Sequence, residues 1–561
     1  MKITYKHKIT EKLKPQEIVD LLLKSRGIKD TKSFLNPASP LDLSLKDFGF
    51  KKRDIAKMIK LLQKIKKNNE MIVVYTDYDA DGITGGTILW ETLYVLGFKV
   101  MPYVPHRQKE GYGFSEKGID TVKNKYDPKL IISVDHGITA IKEVAYAKKL
   151  GINVIVTDHH HRQKEKVPGQ AVAIFHIPAL SGSGTAYMVA KEMYQNFIPL
   201  ADRSNLKELE RNFHTDYLAL ASIGTIADLV PLTGPSRSIV SHGLQSFQKV
   251  KRPGIKHILK EAQIADREIG PYEIGFIIAP RINAVGRLEH AIDALRLLCT
   301  KDDTRAHELA CKVGDMNTSR QDLVKEQLAE AQKKVEKLKE IPKLIILYSN
   351  HWHEGVIGLI AGKILEKYYR PTIVMTKGDG FYKASVRSIH GFHITDFLKT
   401  LDKYLTNYGG HAAAAGFTLI SGKRDTFIKV AQKKADILID NTMLEQVIEA
   451  DIKIPIAMAT KSLVEKIEKL QPFGMGNPKP TFVSEVVVMH AKTMGKSNDH
   501  LKLQVNDPLA RSTPVDMVSF GQGEVFKKLT KNQKIQVVYQ LNLNRWNGHE
   551  TVQGIVKHLE L

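Results

Sequence analysis

The sequence predicts an α/β protein: a doubly wound parallel sheet, a long connecting helix, a second and smaller α/β unit, and a closing small β-barrel. Three observations predict it. Between residues 70 and 180, short apolar runs alternate with helical patterns, the signature of parallel strands with helices on both faces. Over residues 303–340, apolar side chains recur at spacings of three and four with few core positions, as in a helix that joins domains. From about residue 440, five short strands follow one another with little helix, as in a small barrel.

Composition sets the bounds. A chain of 561 residues is too long for one core. Hydrophobic residues make up 43%, ordinary for globular protein, and no apolar run reaches the length of a membrane span. The N-terminal MKITYKHKITEKLK lacks the apolar core of a secretory signal. Cys299 and Cys311 are the two cysteines; neither has a metal-ligand spacing, which predicts a reducing compartment, the cytoplasm. The 83 lysines and arginines against 61 aspartates and glutamates leave a net charge of +22. Such an excess suits a polyanionic partner, nucleic acid first, or a solvated lysine-rich surface.

In chain order, residues 1–69 read as a helical lead-in, with amphipathic Ile18–Leu23 and Ile55–Ile65 and turns at Asn36-Pro37 and Ser39-Pro40. The next unit, 70–300, carries strands at Met71–Val74, Lys99–Val104, Leu130–Val134 and Val154–Val156. The first strand runs into Asp77, Asp79 and Asp81, then into the helical run Ile88–Leu96. Three carboxylates in five residues repel one another and cost desolvation unless a cation sits among them. Mg²⁺ or Mn²⁺ is the natural partner of that oxygen set, a solvated acidic turn the plain alternative. In open α/β sheets, ligands gather at the carboxyl ends of the strands. Here Asp135-His136-Gly137 follows Leu130–Val134, and Asp158-His159-His160-His161 follows Val154–Thr157. Three strands therefore deliver carboxylate or imidazole to one edge. Asp228, just before Leu229-Val230-Pro231, is either a further acid of this set or a helix or turn cap.

The long helix, roughly 55 Å at 1.5 Å per residue over 303–340, presents Leu309, Val313, Met316, Val324, Leu328, Ala331, Val335 and Leu338, with Arg320 interrupting. The unit at 341–435 has a strand at Lys343–Tyr348, a helix at Val356–Glu366 and a strand at Pro371–Met375. It also carries Ser385, Arg387 and Ser388 in one stretch and Gly409-Gly410-His411 in another. The planar fork of Arg387 suits a phosphate. The two glycines admit a ligand backbone, or mark only a turn. Residues 440–561 hold strands at Phe482–Met489, His500–Val505, Pro514–Phe520, Lys534–Leu541 and Thr551–Ile555, which fit an OB-fold. Lys492, Lys496, Lys502, Lys527, Lys528 and Lys534, with Arg545 and Trp546, suit a single-strand groove. Trp546 serves equally as hairpin packing.

The ordered set Asp77-Tyr-Asp-Ala-Asp-Gly82, Val134-Asp-His-Gly137, Asp158-His-His160 and Ala227-Asp-Leu-Val-Pro231 resembles the four motifs of the DHH phosphoesterases. Ala384–Ser388 and Gly409–His411 resemble that superfamily's accessory DHHA1 domain. Ala279-Pro-Arg-Ile-Asn-Ala-Val-Gly-Arg287, Pro472-Phe-Gly-Met-Gly-Asn-Pro478 and Ser33-Phe-Leu-Asn-Pro37 narrow the resemblance to the RecJ family, over nearly the whole chain. It implies a 5′→3′ exonuclease that releases mononucleotides from single-stranded DNA with two Mn²⁺ or Mg²⁺ ions. The setting it implies is DNA repair and recombination, with a helicase and a single-strand-binding protein as partners.

The resemblance also implies roles. Asp135 is the bridging carboxylate. Asp81, His159 and Asp228 complete one metal site, and Asp79 with Asp77 serves the other. His160 faces the scissile phosphate and stabilises developing charge, or packs behind the ligands as His161 would. Arg281, Asn283 and Arg287 contact the DNA backbone near the metals, unless Arg287 makes an interdomain salt bridge. Ser385, Arg387, Ser388, Gly409, Gly410 and His411 grip a phosphate of the terminal nucleotide, and a cleft between the two domains is too narrow for a duplex. The sequence departs from the family pattern at Tyr75, where many DHH enzymes carry histidine. It departs again at Phe175–Gly184, which replaces an expected Asn-Pro element at the cleft rim. The chain stops after the barrel, so no binding through a further C-terminal domain is expected. Two other readings compete. A phosphodiesterase of short oligonucleotides or cyclic dinucleotides would need neither the barrel nor the charge. A silent DNA-binding scaffold would not need the intact acid and histidine set.

Overall fold

The computed structural model describes residues 2–9, 13–106, 110–111, 113–162, 166–198, 203–509, 513–546 and 548–561. The chain divides into two compact units. One is built from residues 3–283, 290–310 and 449–561, the other chiefly from 284–289 and 311–448.

In the first unit, a five-stranded sheet runs in the order Val100–Tyr103, Ile72–Thr76, Leu130–Val134, Asn153–Asp158, Ala173–His176. All its pairings are parallel. Ile72–Thr76 and Leu130–Val134 are buried along their whole length, as strands covered on both faces must be, which explains their unbroken apolar character. From Ile72–Thr76 the chain turns to one side for Val100–Tyr103 and to the other for the remaining strands. The switch point lies between Ile72–Thr76 and Leu130–Val134, where the carboxyl ends of an open sheet hold ligands. The fifth strand, Ala173–His176, was not legible as such: it is four residues long and half of it is only partly buried.

The same unit contains the barrel. Its strands are ordered Phe482–Met494, His500–Asn506, Val515–Ser519, His549–Glu560, Lys534–Trp546, and pairing of the last with the first closes it. Val447–Lys453 and Lys2–Lys8 extend the sheet beyond Phe482–Met494. The helical lead-in expected over residues 1–69 therefore begins with a strand instead. Lys2–Lys8 has no fully buried residue, so no apolar alternation announced it. Nor is the lead-in separate: helix Pro15–Ser25 buries Ile18, Val19, Leu22 and Leu23 in one core with Leu463, Val464 and the barrel interior.

The second unit has a five-stranded mixed sheet ordered Leu405–Gly410, Ala414–Ile420, Phe381–Arg387, Thr372–Lys377, Ile345–Ser349. Only the last pair is parallel, joined by the crossover helix Ile357–Tyr368. The long helix is continuous from Asp303 to Glu336. Leu338 lies beyond its end and is exposed. Among the described residues, no helix is long and apolar enough to cross a membrane.

Candidate metal centre and phosphate site

Each acidic motif leaves its strand at the switch-point edge. Asp77, Asp81, Asp135 and Asp158 are all buried. Asp79 caps the helix Ala80–Val95, its Oδ1 accepting from the amides of Asp81 and Gly82 at 3.0 Å each. Asp81 accepts from Gly182 N at 2.6 Å and Ser183 N at 2.9 Å, the first amides of helix Gly182–Phe197, whose dipole favours a negative charge there. Asp135 sits at φ +66, a left-handed backbone that a non-glycine residue adopts at a cost and that is met most often at functional sites.

These loops converge. His159 Nε2 lies 3.2 Å from Asp135 Oδ1, 3.3 Å from Asp228 Oδ2 and 3.7 Å from Asp81 Oδ2. Both His159 Nε2 and Asp135 Oδ1 are buried without a hydrogen bond. Three sets each bring their ligand atoms within 4.8 Å of one another: Asp81, His159 and Asp228; Asp77, Asp79 and Asp135; and Asp135, His159 and His160. Asp135 is common to two of them. The electrostatics point the same way. Burial, then the charges of Asp81, Asp79, Asp77 and Asp228, push Asp135 well above the usual carboxylate range. Burial and Asp81 raise Asp79. Burial, Asp81 and Asp79 push Asp228 up to about 8. Burial lowers the His159 imidazole. Such a set keeps its charge at neutral pH when cations sit among its oxygens, and the orphaned atoms fit Mn²⁺ or Mg²⁺.

Asp158 stands behind this set. Its Oδ1 accepts from the amides of His159 and His160 and lies 2.8 Å from His160 Nδ1; its Oδ2 accepts from Ile138 N. Burial opposes the charge of His160, but the Asp158 hydrogen bond, with Asp228 and Asp77, raises the imidazole to about 9. His161 is exposed and joins no cluster among the described residues. Asp228 combines the two roles foreseen for it: it caps the helix Asp216–Ala227 and reaches the metal set. Tyr75, in the place of the missing histidine, is a buried core ring against Tyr103, Phe114 and His136.

The three expected DNA contacts also bond within the protein. Arg281 ion-pairs with Glu261 at 2.5 Å and donates to Ile277 O. Asn283 Oδ1 accepts from Ala80 N at 2.7 Å, so it braces the aspartate loop. Arg287 donates to Gly355 O at 3.2 Å. All three stand on the helix Ala279–Leu288.

In the second unit, Arg387 Nη1 donates to Ser385 Oγ and Val386 O, and among the described residues no carboxylate pairs with it. Burial lowers its guanidinium. It lies over the start of helix Ile357–Tyr368: a Cβ on Gly358 would sit 3.2 Å from Arg387 Nη2 and 3.0 Å from Ser385 Oγ. A cation without a counter-ion over a helix N-terminus suits a phosphate. Gly409 pairs with Gly416, which pairs with Ser385, so the glycine stretch lies two strands away at the same end of the sheet. His411 is exposed there, whereas Ser388 Oγ is spent on Phe392 O.

On the barrel, Lys492, Lys496, Lys528 and Lys534 all stand exposed. Lys502 pairs with Asp516, Lys527 with Glu524, and Arg545 with Glu550 and Glu468. The Trp546 side chain lies outside the described residues.

Sequence reasoning missed Gly182, Ser183 and Gly224. A Cβ on Gly182 would lie 2.4 Å from Asp135 Oδ1, and one on Gly224 2.2 Å from Asp81 Oδ1. The signal for Gly182 and Ser183 was the small-residue run Ser181–Gly184, read only as a departure at the rim. Also missed was His353-Glu354-Gly355, where Gly355 meets Arg287.

Comparison with known proteins agrees with this geometry. Residues 71–225 match the DHH family N-terminal domain, 342–436 the DHHA1 domain and 450–558 the RecJ OB domain. The chain is 33% identical to the single-stranded-DNA-specific exonuclease RecJ of Bacillus subtilis, over 98% of this chain and 68% of that one. It is 31% identical to RecJ of Dickeya dadantii over 90% of each. The crystal structure of Thermus thermophilus RecJ with Mn²⁺ superposes with a TM-score of 0.80 at 26% identity, covering 100% of this chain and 80% of that one. DHH, DHHA1 and RecJ OB domains in one chain, with relatives more than 30% identical over most of its length, place it in the RecJ family of single-stranded-DNA-specific exonucleases.

Proposed function

We propose that this protein is a two-metal phosphodiesterase that degrades single-stranded DNA from the 5′ end and releases mononucleotides, in DNA repair and recombination. The observation that carries the reading is the convergence of His159 Nε2 on Asp135, Asp228 and Asp81, with two buried ligand atoms that have no hydrogen-bond partner. Direction and product follow the family resemblance.

Asp81, His159 and Asp228 would hold one Mn²⁺ or Mg²⁺ and Asp77 and Asp79 the other, with Asp135 within reach of both groups as a shared carboxylate. When bound, the pair supplies the Lewis acidity that neutralises phosphate charge and makes water nucleophilic at neutral pH. The residues do the rest. Asp158 fixes His160 through Nδ1 and keeps the ring protonated, so Nε2 is left to donate to a phosphate oxygen as charge builds. Arg387 with Ser385, supported by Gly409, Gly410 and His411, binds a phosphate of the same strand. Asn283 braces the aspartate loop by accepting from Ala80 N. A helicase that exposes single strands and a single-strand-binding protein that covers them are the partners such chemistry calls for.

Single-stranded DNA labelled at either end and incubated with Mn²⁺ tests the reading. Labelled mononucleotide is released first from the 5′ end by the wild type. Asp135→Ala loses the release and keeps binding. A wild type that binds the strand but cuts nothing in Mn²⁺ or Mg²⁺ would overturn it.

A further inference from the structure

We infer that the apolar cleft beside Asp228 is a stacking track for the bases of the single strand, a proposal that rests on the function given above. The cleft has a volume of about 770 Å³ and lies wholly within the first unit. Leu229, Tyr272, Phe276 and Met475 line it, and they are 63%, 63%, 72% and 51% exposed. Four large apolar side chains gathered in one exposed cleft mark a binding surface.

Its construction is specific. Tyr272 and Phe276 stack with ring centroids 5.0 Å apart and planes 26° apart. Both stand on the helical run 271–288, which is interrupted by a π turn at Ile274–Ile278. Such turns are frequent at functional sites. Leu229 follows Asp228 directly and holds φ +57, a strained conformation for a bulky side chain, retained here with that side chain in solvent.

The cleft adjoins the metal set, since Ala227 and Leu229 of its lining flank Asp228. The helix that carries the aromatic pair also carries Asn283, which lines the cleft and accepts from Ala80 N in the aspartate loop. From Phe276 to Asn283 is about two turns, roughly 10 Å. A strand whose phosphate lies at the metals therefore brings its nearby bases against this wall. The lining is chiefly apolar and aromatic, with Asn283 bonded to Ala80 N and Lys479 to Asn542, and it suits base faces more than base edges. In a duplex those faces are already stacked and paired, so the track favours single strands without favouring a sequence.

The test is a binding cycle with the full chain in EDTA, which suspends cleavage. Affinity is read by fluorescence anisotropy for an oligothymidylate and for the same strand with abasic sites in its 5′-terminal nucleotides. The wild type binds the abasic strand about tenfold more weakly. Tyr272→Ala/Phe276→Ala binds both strands alike, at the abasic level, and Met475→Ala on the facing loop reduces the discrimination. The substituted side chains are exposed, and unchanged near-ultraviolet circular dichroism verifies folding. Equal wild-type affinity for both strands, or an equal loss on both in the double variant, overturns the track alone, as does an apolar peptide being what the cleft prefers. A wild type that neither binds nor cuts single strands overturns it together with the function.

Discussion

At the scale of single residues, the metal centre depends on how closely backbone can approach carboxylate. Gly182 supplies an amide to Asp81 while its α-carbon lies against Asp135. A methyl group there must displace one of the two. Gly182→Ala therefore weakens Mn²⁺ binding at least about tenfold, measured by titration calorimetry, with the far-ultraviolet circular dichroism unchanged. His160 offers a pH test. Burial lowers its imidazole, but the Asp158 hydrogen bond and charge raise it to about 9, above the ordinary 6.5. Its contribution to stability is complete below pH 6.5 and lost as pH rises through 9. Asp158→Asn removes the anion and moves the ring's NMR titration midpoint in the metal-free protein down by roughly one to three pH units. A midpoint left near 9 would assign the raised value to Asp228 and Asp77 instead.

At the scale of elements, the helix Ala80–Val95 is anchored at both ends. Its first turn carries Asp81. Near its last turn Glu91 forms a buried ion pair with Arg252, both side chains 4% exposed, and Arg252 also donates to Leu298 O. Removing one partner leaves the other charged and dry. Arg252→Met lowers stability by about 3–5 kcal/mol, seen as an earlier urea midpoint, and adding Glu91→Met recovers much of the loss. The helix register that positions Asp81 thus draws on a pair outside the metal site.

At the scale of the whole molecule, charge and long-range ties govern. With a net charge of +22, affinity for single strands falls about tenfold or more between about 50 and 200 mM salt, read by anisotropy on a log–log plot. Arg237 is buried and its bonds go to carbonyls, not to an acid. It donates to Phe34 O, Leu470 O, Gln471 O and Pro472 O and lies over the Phe34 ring at 3.9 Å. Arg26 adds bonds to Asn477 and Pro478. The stretches Ser33–Pro37 and Pro472–Pro478, which served as family markers, are therefore tied to one guanidinium.

Much of this was legible in the sequence, because strand period and the acids at strand ends are local. Asp77, Asp79, Asp81, Asp135, His159 and Asp228 follow apolar runs that can be recognised without partners, and the alternating strands of the barrel are similarly self-contained. Lys2–Lys8 was not legible, since an edge strand without a buried face has no alternation. Arg281 and Asn283 carried a motif but not its use: which polar atom each meets depends on Glu261 and on Ala80, one nearby in sequence and one far away along the chain. Gly182 and Gly224 became site residues only when folding set them against Asp135 and Asp81. The sequence by itself determined the fold class, the metal chemistry and the family, because side-chain type and short-range period encode them. The tertiary structure alone decided which groups are free to bind and which are already spent, because hydrogen bonding and burial are properties of neighbours brought together from distant parts of the chain.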